Sequence, residues 1–159
     1  LHDALPIWHR FRTRVSELLD ASEGRAADCV VLLLDLDHFK AINDNLGHDM
    51  GDLLLRQVAQ RIQDCVREGD LVARLGGDEF VVLVEGHDDT HRMADKVLGV
   101  LRPEYQLGAH AVRVTASIGV SCFPQHGTEL DTLLSAADFA MYQAKTAGRN
   151  GVQFYSRPQ

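Results

Sequence analysis

Apolar residues recur along this chain in two rhythms, helical and strand-like, and their alternation lays out the elements. A helical stripe over 11–21 runs through Phe11, Val15, Leu18 and Leu19 and stops near Gly24, while residues 1–12 keep no clean period. Cys29-Val30-Val31-Leu32-Leu33-Leu34 is an unbroken apolar run of strand length, the pattern of a central strand buried on both faces. A short helix over 38–45, with Phe39 and Ile42 inward, closes at Gly47. A longer one over 48–67 carries Leu55, Val58, Ala59, Ile62, Cys65 and Val66 on one side, with Arg67 in its last turn and Gly69 as its C-cap. Runs at 71–75 and 80–84 read as two strands pinched at Gly76-Gly77, because glycine supplies the positive φ of tight turns. Thr90 caps a helix burying Met93, Ala94, Val97, Leu98 and Leu101. Residues 105–123 hold two β-like runs broken near Gly108, the second alternating over 112–121 until Pro124. Thr128-Glu129-Leu130-Asp131 resembles a capping box, opening a helix with Leu130, Leu133, Leu134, Ala137, Met141 and Ala144 inward. Residues 151–155 make a closing edge strand.

Hairpins mixed with helical crossovers predict an α/β (α+β) fold, with a central mixed, mainly antiparallel sheet flanked by helices. At 159 residues the chain is expected to be a single domain, 1–159, able to stand as one module of a longer chain. Its net charge of −7 argues against a nucleic-acid polymer as partner. Cys29, Cys65 and Cys122 are widely spaced and form no Cys-x-x-Cys, as expected of buried thiols in a reduced compartment. With no secretory leader and no run long enough to span a bilayer, the expectation is a cytoplasmic domain without membrane contact. There is no internal repeat, and no Walker-type phosphate loop.

The candidate chemistry gathers at Gly76-Gly77-Asp78-Glu79, where two carboxylates follow a turn able to admit a phosphate. Alone, such a stretch is more often an ordinary hairpin with solvated acids. Asp35, at the end of the buried run, needs a cation or donor to offset its desolvation. Asp37 can equally be the N-cap of the next helix. Asn43 and Asp52 flank Gly47, and either share a pocket or are surface polar residues. His87 and His91, four apart in a polar junction, are cap and turn residues rather than metal ligands. Lys145 and Arg149 are two cations at a helix end, of interest only if they point at the acids.

Three segments in order resemble the GGDEF domains, diguanylate cyclases that join two GTP molecules into cyclic di-GMP: Gly76-Gly77-Asp78-Glu79-Phe80 itself, the stretch from Asp35 to Asp52, and the stretch from Ala137 to Asn150. The resemblance runs from about residue 28 to the end. It implies a fold like the palm of nucleotide cyclases and polymerases. It implies Mg²⁺ (with Mn²⁺ as an alternative) on Asp35, Asp78 and the Leu36 carbonyl, and an acidic catalytic pair in Asp78 and Glu79. Asp78 replaces the Glu common in the family. Asn43 and Asp52 would then read guanine with Leu55 lining the pocket, and His48 would join the substrate-binding residues. Lys40, counted among the catalytic residues, would hold the triphosphate with Lys145 and Arg149, close to the Gly76-Gly77 backbone. Arg67 and Asp70 stand where the family has an inhibitory Arg-x-x-Asp site for the product.

Catalysis is expected to need a homodimer with one GTP per subunit, and a sensory domain is expected on the N-terminal side. Asp3-Ala4-Leu5 begins like the family's opening segment, but Pro6-Ile7-Trp8-His9 departs from it. The main alternative is a silent GGDEF domain that only binds GTP or cyclic di-GMP. A different nucleotidyl cyclase on the same fold is a further reading.

Overall fold

The structure, a computed structural model, describes residues 8–21, 29–86 and 90–156. The segment through Ile7, the helix stop at Gly24 and His87 of the histidine pair lie outside the described residues.

The unbroken apolar run becomes β1 (Cys29–Leu36), buried along nearly its whole length because it is central. It pairs antiparallel with β3 (Glu79–Glu85) on one side and with β6 (Ala116–Phe123) on the other. The strand β2 (Leu71–Gly76) lies outside β3, and β7 (Gly151–Phe154) runs parallel to β6 at the opposite edge, giving the order β2-β3-β1-β6-β7. The mixed, mainly antiparallel sheet read from the sequence is therefore present.

Strand residues alternate between the two faces. Val30, Leu32, Leu34, Phe80 and Val82 pack under α3 (His48–Cys65) and α4 (Thr90–Leu101), with α2 (Phe39–Leu46) contributing half-buried Phe39 and Ile42. Val31, Leu33, Val81 and Leu83 pack under α1 (Trp8–Ala21) and α5 (Leu130–Thr146). The sheet is thus a middle layer, and Asp35, in phase with Leu33, looks toward α5.

Several local expectations change. The helix α1 already includes Trp8, where the indole stacks on Phe11 with ring centroids 5.5 Å apart. The helix α3 stops at Cys65, and Val66 is extended; Asp70 Oδ2 takes the Arg67 N–H at 3.0 Å, so a polar turn replaces the last helical turn, and Gly69 is no C-cap. The two β runs over 105–123 are three strands. A separate hairpin of β4 (Tyr105–Leu107) and β5 (His110–Val112) turns at Gly108, and β6 begins only after Thr115 has given its carbonyl to Asp37. The capping box does not form: Glu129 is the N-cap without a side-chain bond, because Arg12 of α1 takes Asp131 at 2.7 Å. Cys29, Cys65 and Cys122 form no disulfide, and Cys122 is only half-buried. Among the described residues no helix is long and apolar enough to cross a membrane.

Candidate active site

The antiparallel register of β1 and β3 places Asp35 directly opposite Glu79, and the Leu36 N–H donates to the Asp78 carbonyl at 3.3 Å. The reversal itself uses Gly77 and Asp78, one residue later than the glycine pair suggests, because the register slips between Arg74 and Gly76. Gly77 sits at φ 53°, and its carbonyl accepts from Arg74 Nε at 3.0 Å. Asp78 is thereby held at the tip, and Glu79 becomes the first residue of β3. Like charges paired across strands are destabilising unless something offsets them.

The offset comes in part from α5. Lys145 Nζ forms an ion pair with Asp35 Oδ2, the lysine side chain being 30% exposed and the aspartate 14%. Burial alone would lower the Lys145 pKa, but the Asp35 hydrogen bond and the charges of Asp35, Asp78 and Glu79 outweigh it and raise the ammonium above its ordinary value. One cation does not satisfy three acids. Burial, a hydrogen bond shared with Asp35 and the Asp35 charge push Asp78 up to about 7. Burial, Asp35 and Asp138 of α5 raise Glu79 as well. Asp138 was not singled out from sequence, though it stands seven residues before Lys145, a spacing that puts both on one helix face.

Asp35 Oδ1 is buried without a hydrogen-bond partner. That orphan oxygen and the unneutralised Asp78 fit a hard divalent cation. Among the described residues no three His, Cys, Asp or Glu side chains make a ready-made cage. Two carboxylates and a backbone carbonyl suit an ion such as Mg²⁺, which keeps waters and takes substrate phosphate oxygens.

Asp37 is not the helix cap. The cap position belongs to His38, with φ 60° and no side-chain bond. The Asp37 carboxylate is buried and accepts from Thr115 Oγ1 at 2.6 Å, Ser117 Oγ at 2.7 Å and the Asn150 N–H at 3.0 Å.

The other candidates spread around this centre. Lys40 is exposed on the first turn of α2, and Arg149 is exposed just past the end of α5. Asn43 is half-buried at the α2–α3 elbow, its Oδ1 unpartnered and lying against Gly51, where a Cβ would meet it at 1.8 Å. Sequence reading passed over Gly51, whose bare backbone admits that amide. Asp52 and His48 are exposed on the first turns of α3, whereas Leu55 is buried in the core. Gly76 and Gly77 are exposed at the hairpin end. Arg67 and Asp70 lie at the opposite end of β2. The Asp70 carboxylate accepts the backbone N–H groups of Arg67 (3.0 Å) and Glu85 (3.3 Å), while the Arg67 guanidinium donates to the Glu85 carbonyl at 3.1 Å. His91 packs against Phe154, the two rings tilted with centroids 4.0 Å apart.

Without divalent cation, the acidic cluster sets a slope of stability on pH. Asp78 titrates near 3.8 in the unfolded chain and near 7 when folded, so the folded protein binds more protons between those values. Its contribution is fully present below 3.8 and is lost as pH rises through about 7. Glu79 acts in the same direction. Asp131, lowered by its bond from Arg12, acts in the opposite sense only at lower pH, outside this window. Calorimetry in chelator should therefore show the melting temperature falling from pH 5 to pH 7.5, and Asp78→Asn should flatten that slope.

The family described as "Diguanylate cyclase, GGDEF domain" matches residues 4–151. The bifunctional diguanylate cyclase/cyclic di-GMP phosphodiesterase MucR of Pseudomonas aeruginosa is 49% identical over 127 residues, 79% of this chain and 18% of that protein. Diguanylate cyclase TpbB of Pseudomonas aeruginosa is 42% identical over 156 residues, 93% of this chain and 36% of that protein. The chain thus spans about a third or less of these curated relatives. The crystal structure of the GGDEF domain of YfiN (TpbB) from the same organism superposes with a TM-score of 0.93 at 37% identity, covering 99% of this chain and 100% of that one.

Proposed function

The chain belongs to the GGDEF diguanylate cyclase domain family, and on that premise we propose that it is an active cyclase condensing two GTP into cyclic di-GMP and two pyrophosphates. The observation that carries this reading is the acidic centre: Asp35 opposite Glu79, Asp78 at the adjoining turn, and Lys145 closing over them.

In each half-reaction a 3′-oxygen bonds to the α-phosphorus of the other GTP, the α–β anhydride bond breaks, and pyrophosphate leaves. The hydroxyl proton passes to the Asp78–Glu79 pair. Without metal, burial and Asp35 hold both acids above the usual carboxylate range, and with a divalent cation bound there they would return to the charged, proton-accepting form. Asp35, Asp78 and the Leu36 carbonyl would hold Mg²⁺ or Mn²⁺, which would supply positive charge against that growing on the phosphates. Lys40, Lys145 and Arg149 orient the triphosphate, and the open Gly76-Gly77 backbone lets it approach. Asn43 and Asp52 read the guanine edge beside Leu55 and His48.

One acidic centre per chain processes one GTP, so two copies must face each other, and catalysis requires a homodimer. We read the domain as the cytoplasmic module of a signalling protein with a sensory domain on its N-terminal side. The test is turnover of GTP with Mg²⁺ at high protein concentration, the product identified by chromatography. Cyclic di-GMP supports the reading. Tight GTP binding without product makes the domain a silent binding module, and turnover of ATP instead makes it another cyclase.

Product is proposed to bind at Arg67 and Asp70 and restrain the enzyme. The buried Asp70 carboxylate is occupied by backbone donors and lies 3.6 Å from Arg67 Nε, while the Arg67 side chain, held by the Glu85 carbonyl, is 62% exposed and presents its guanidinium to an incoming phosphate. Arg67→Ala should raise the cyclic di-GMP concentration for half-inhibition by about tenfold or more, the loss of one charge-assisted contact. Equal inhibition of the two proteins would remove the site from the scheme.

A further inference from the structure

The buried carboxylate of Asp37 ties together three stretches of chain that meet beside the acidic centre. Thr115 lies in the lead into β6, Ser117 in β6 itself, and Asn150 in the turn between α5 and β7. The Asp37 N–H also donates to the Thr115 carbonyl at 2.8 Å. Among the described residues, three that are not glycine have left-handed backbone: His38 (φ 60°), Arg149 (φ 64°) and Asn150 (φ 46°). His38 is the chain neighbour of Asp37, Asn150 is its hydrogen-bond partner, and Arg149 is that partner's neighbour. Such conformations persist only where the surroundings over-determine them. Here the Arg149 N–H returns to the Ala144 carbonyl at 3.0 Å, Arg102 Nε donates to Asn150 Oδ1 at 3.1 Å, and Asp37 holds the Asn150 amide.

From this we infer that Asp37 is a positioning residue. It keeps the Lys145-to-Arg149 end of α5 in register with Asp35 and Leu36, so that the cations and the metal-holding oxygens address the same phosphates. The inference rests on the triphosphate role proposed above for Lys145 and Arg149. Asp37 itself touches no phosphate, since its oxygens are taken up by the three protein donors.

The test compares binding of Mg²⁺-GTP and GMP by calorimetry, well below the melting temperature. GMP reports the guanine half of the site and lacks the β- and γ-phosphates that Lys145 and Arg149 would meet. Asp37→Ala should shrink the preference for GTP over GMP by about tenfold, the scale of one lost charge-assisted contact. Asp37→Asn should largely restore it, because an amide oxygen can still accept from Asn150 while its NH₂ donates to Ser117. Thr115→Val removes a donor to the same carboxylate without releasing the turn, and should lower stability while keeping the preference.

A preference intact in Asp37→Ala overturns this inference alone. No preference in the wild type overturns the triphosphate reading and this inference with it. Should Asp37→Ala not fold, hydrogen exchange on the wild type decides. The Asn150 amide should be protected like the amides of β1, and exchange at the rate of an open loop would overturn the anchoring role.

Discussion

Asp78→Ala is expected to lower cyclic di-GMP formation by about a hundredfold to a thousandfold, the scale seen when one preorganised charge-stabilising group is lost. It should nonetheless leave the protein no less stable than wild type at pH 7.5 in chelator. The two effects share one cause. Asp78 is held near pKa 7 by burial and by Asp35, so at that pH its charge opposes folding. Deleting the side chain relieves Asp35 and Glu79 of a repulsive neighbour while removing an oxygen proposed to hold the metal. The trade of stability for activity is common at such sites. Product assays and thermal melts on the same preparation check both halves. Activity near wild type would show that the acidic turn is not the centre of the reaction. A lower melting temperature would show instead that Asp78 is a structural carboxylate.

Gly119→Ala is expected to cause the largest loss of stability of any single methyl addition considered for this chain, about 3 kcal/mol or more, the upper range for overpacking a core. Gly119 lies in β6 between Leu33 of β1 and Gln153 of β7. A Cβ built there would stand 2.0 Å from the Ala137 carbonyl oxygen and 2.3 Å from the Met141 nitrogen. Those are backbone atoms of α5, so no rotamer change relieves the clash, and the helix must lift from the sheet. A domain of this size should lose roughly 6–12 °C in melting temperature. Because α5 also carries Lys145, whatever variant remains folded should bind GTP more weakly. Gly99 is the natural control, since nothing lies within 4 Å of a Cβ added there. A melting temperature within a degree or two of wild type would mean that α5 sits farther from β6 than described.

Local periodicity was enough to place most of the helices and the mixed, mainly antiparallel sheet, because hydrophobic spacing and turn residues are nearest-neighbour properties, though it merged β4, β5 and β6 into two runs and carried α3 two residues too far. The unbroken run from Cys29 announced a central strand, and the three motif segments announced the family. What periodicity lacked was register. The Gly76-Gly77 pair suggested a turn between the glycines, but the slip after Arg74 moved it to Gly77-Asp78 and so chose which acid stands at the tip. Asp131 and Glu129 looked like cap chemistry until Arg12, 119 residues away, claimed Asp131.

The same distinction holds at the site. The sequence by itself determined which residue types were available: the acid pair, Asp35, the distant cations, and the glycines a close approach needs. Only the tertiary structure decided that Asp35 faces Glu79, that Lys145 closes on Asp35 from 110 residues away, and that Asp37 is a buried tie rather than a helix cap. The physical reason is that an aspartate's role depends on which donors and charges surround it. Those come from strands and helix ends whose separation along the chain carries no periodic signal.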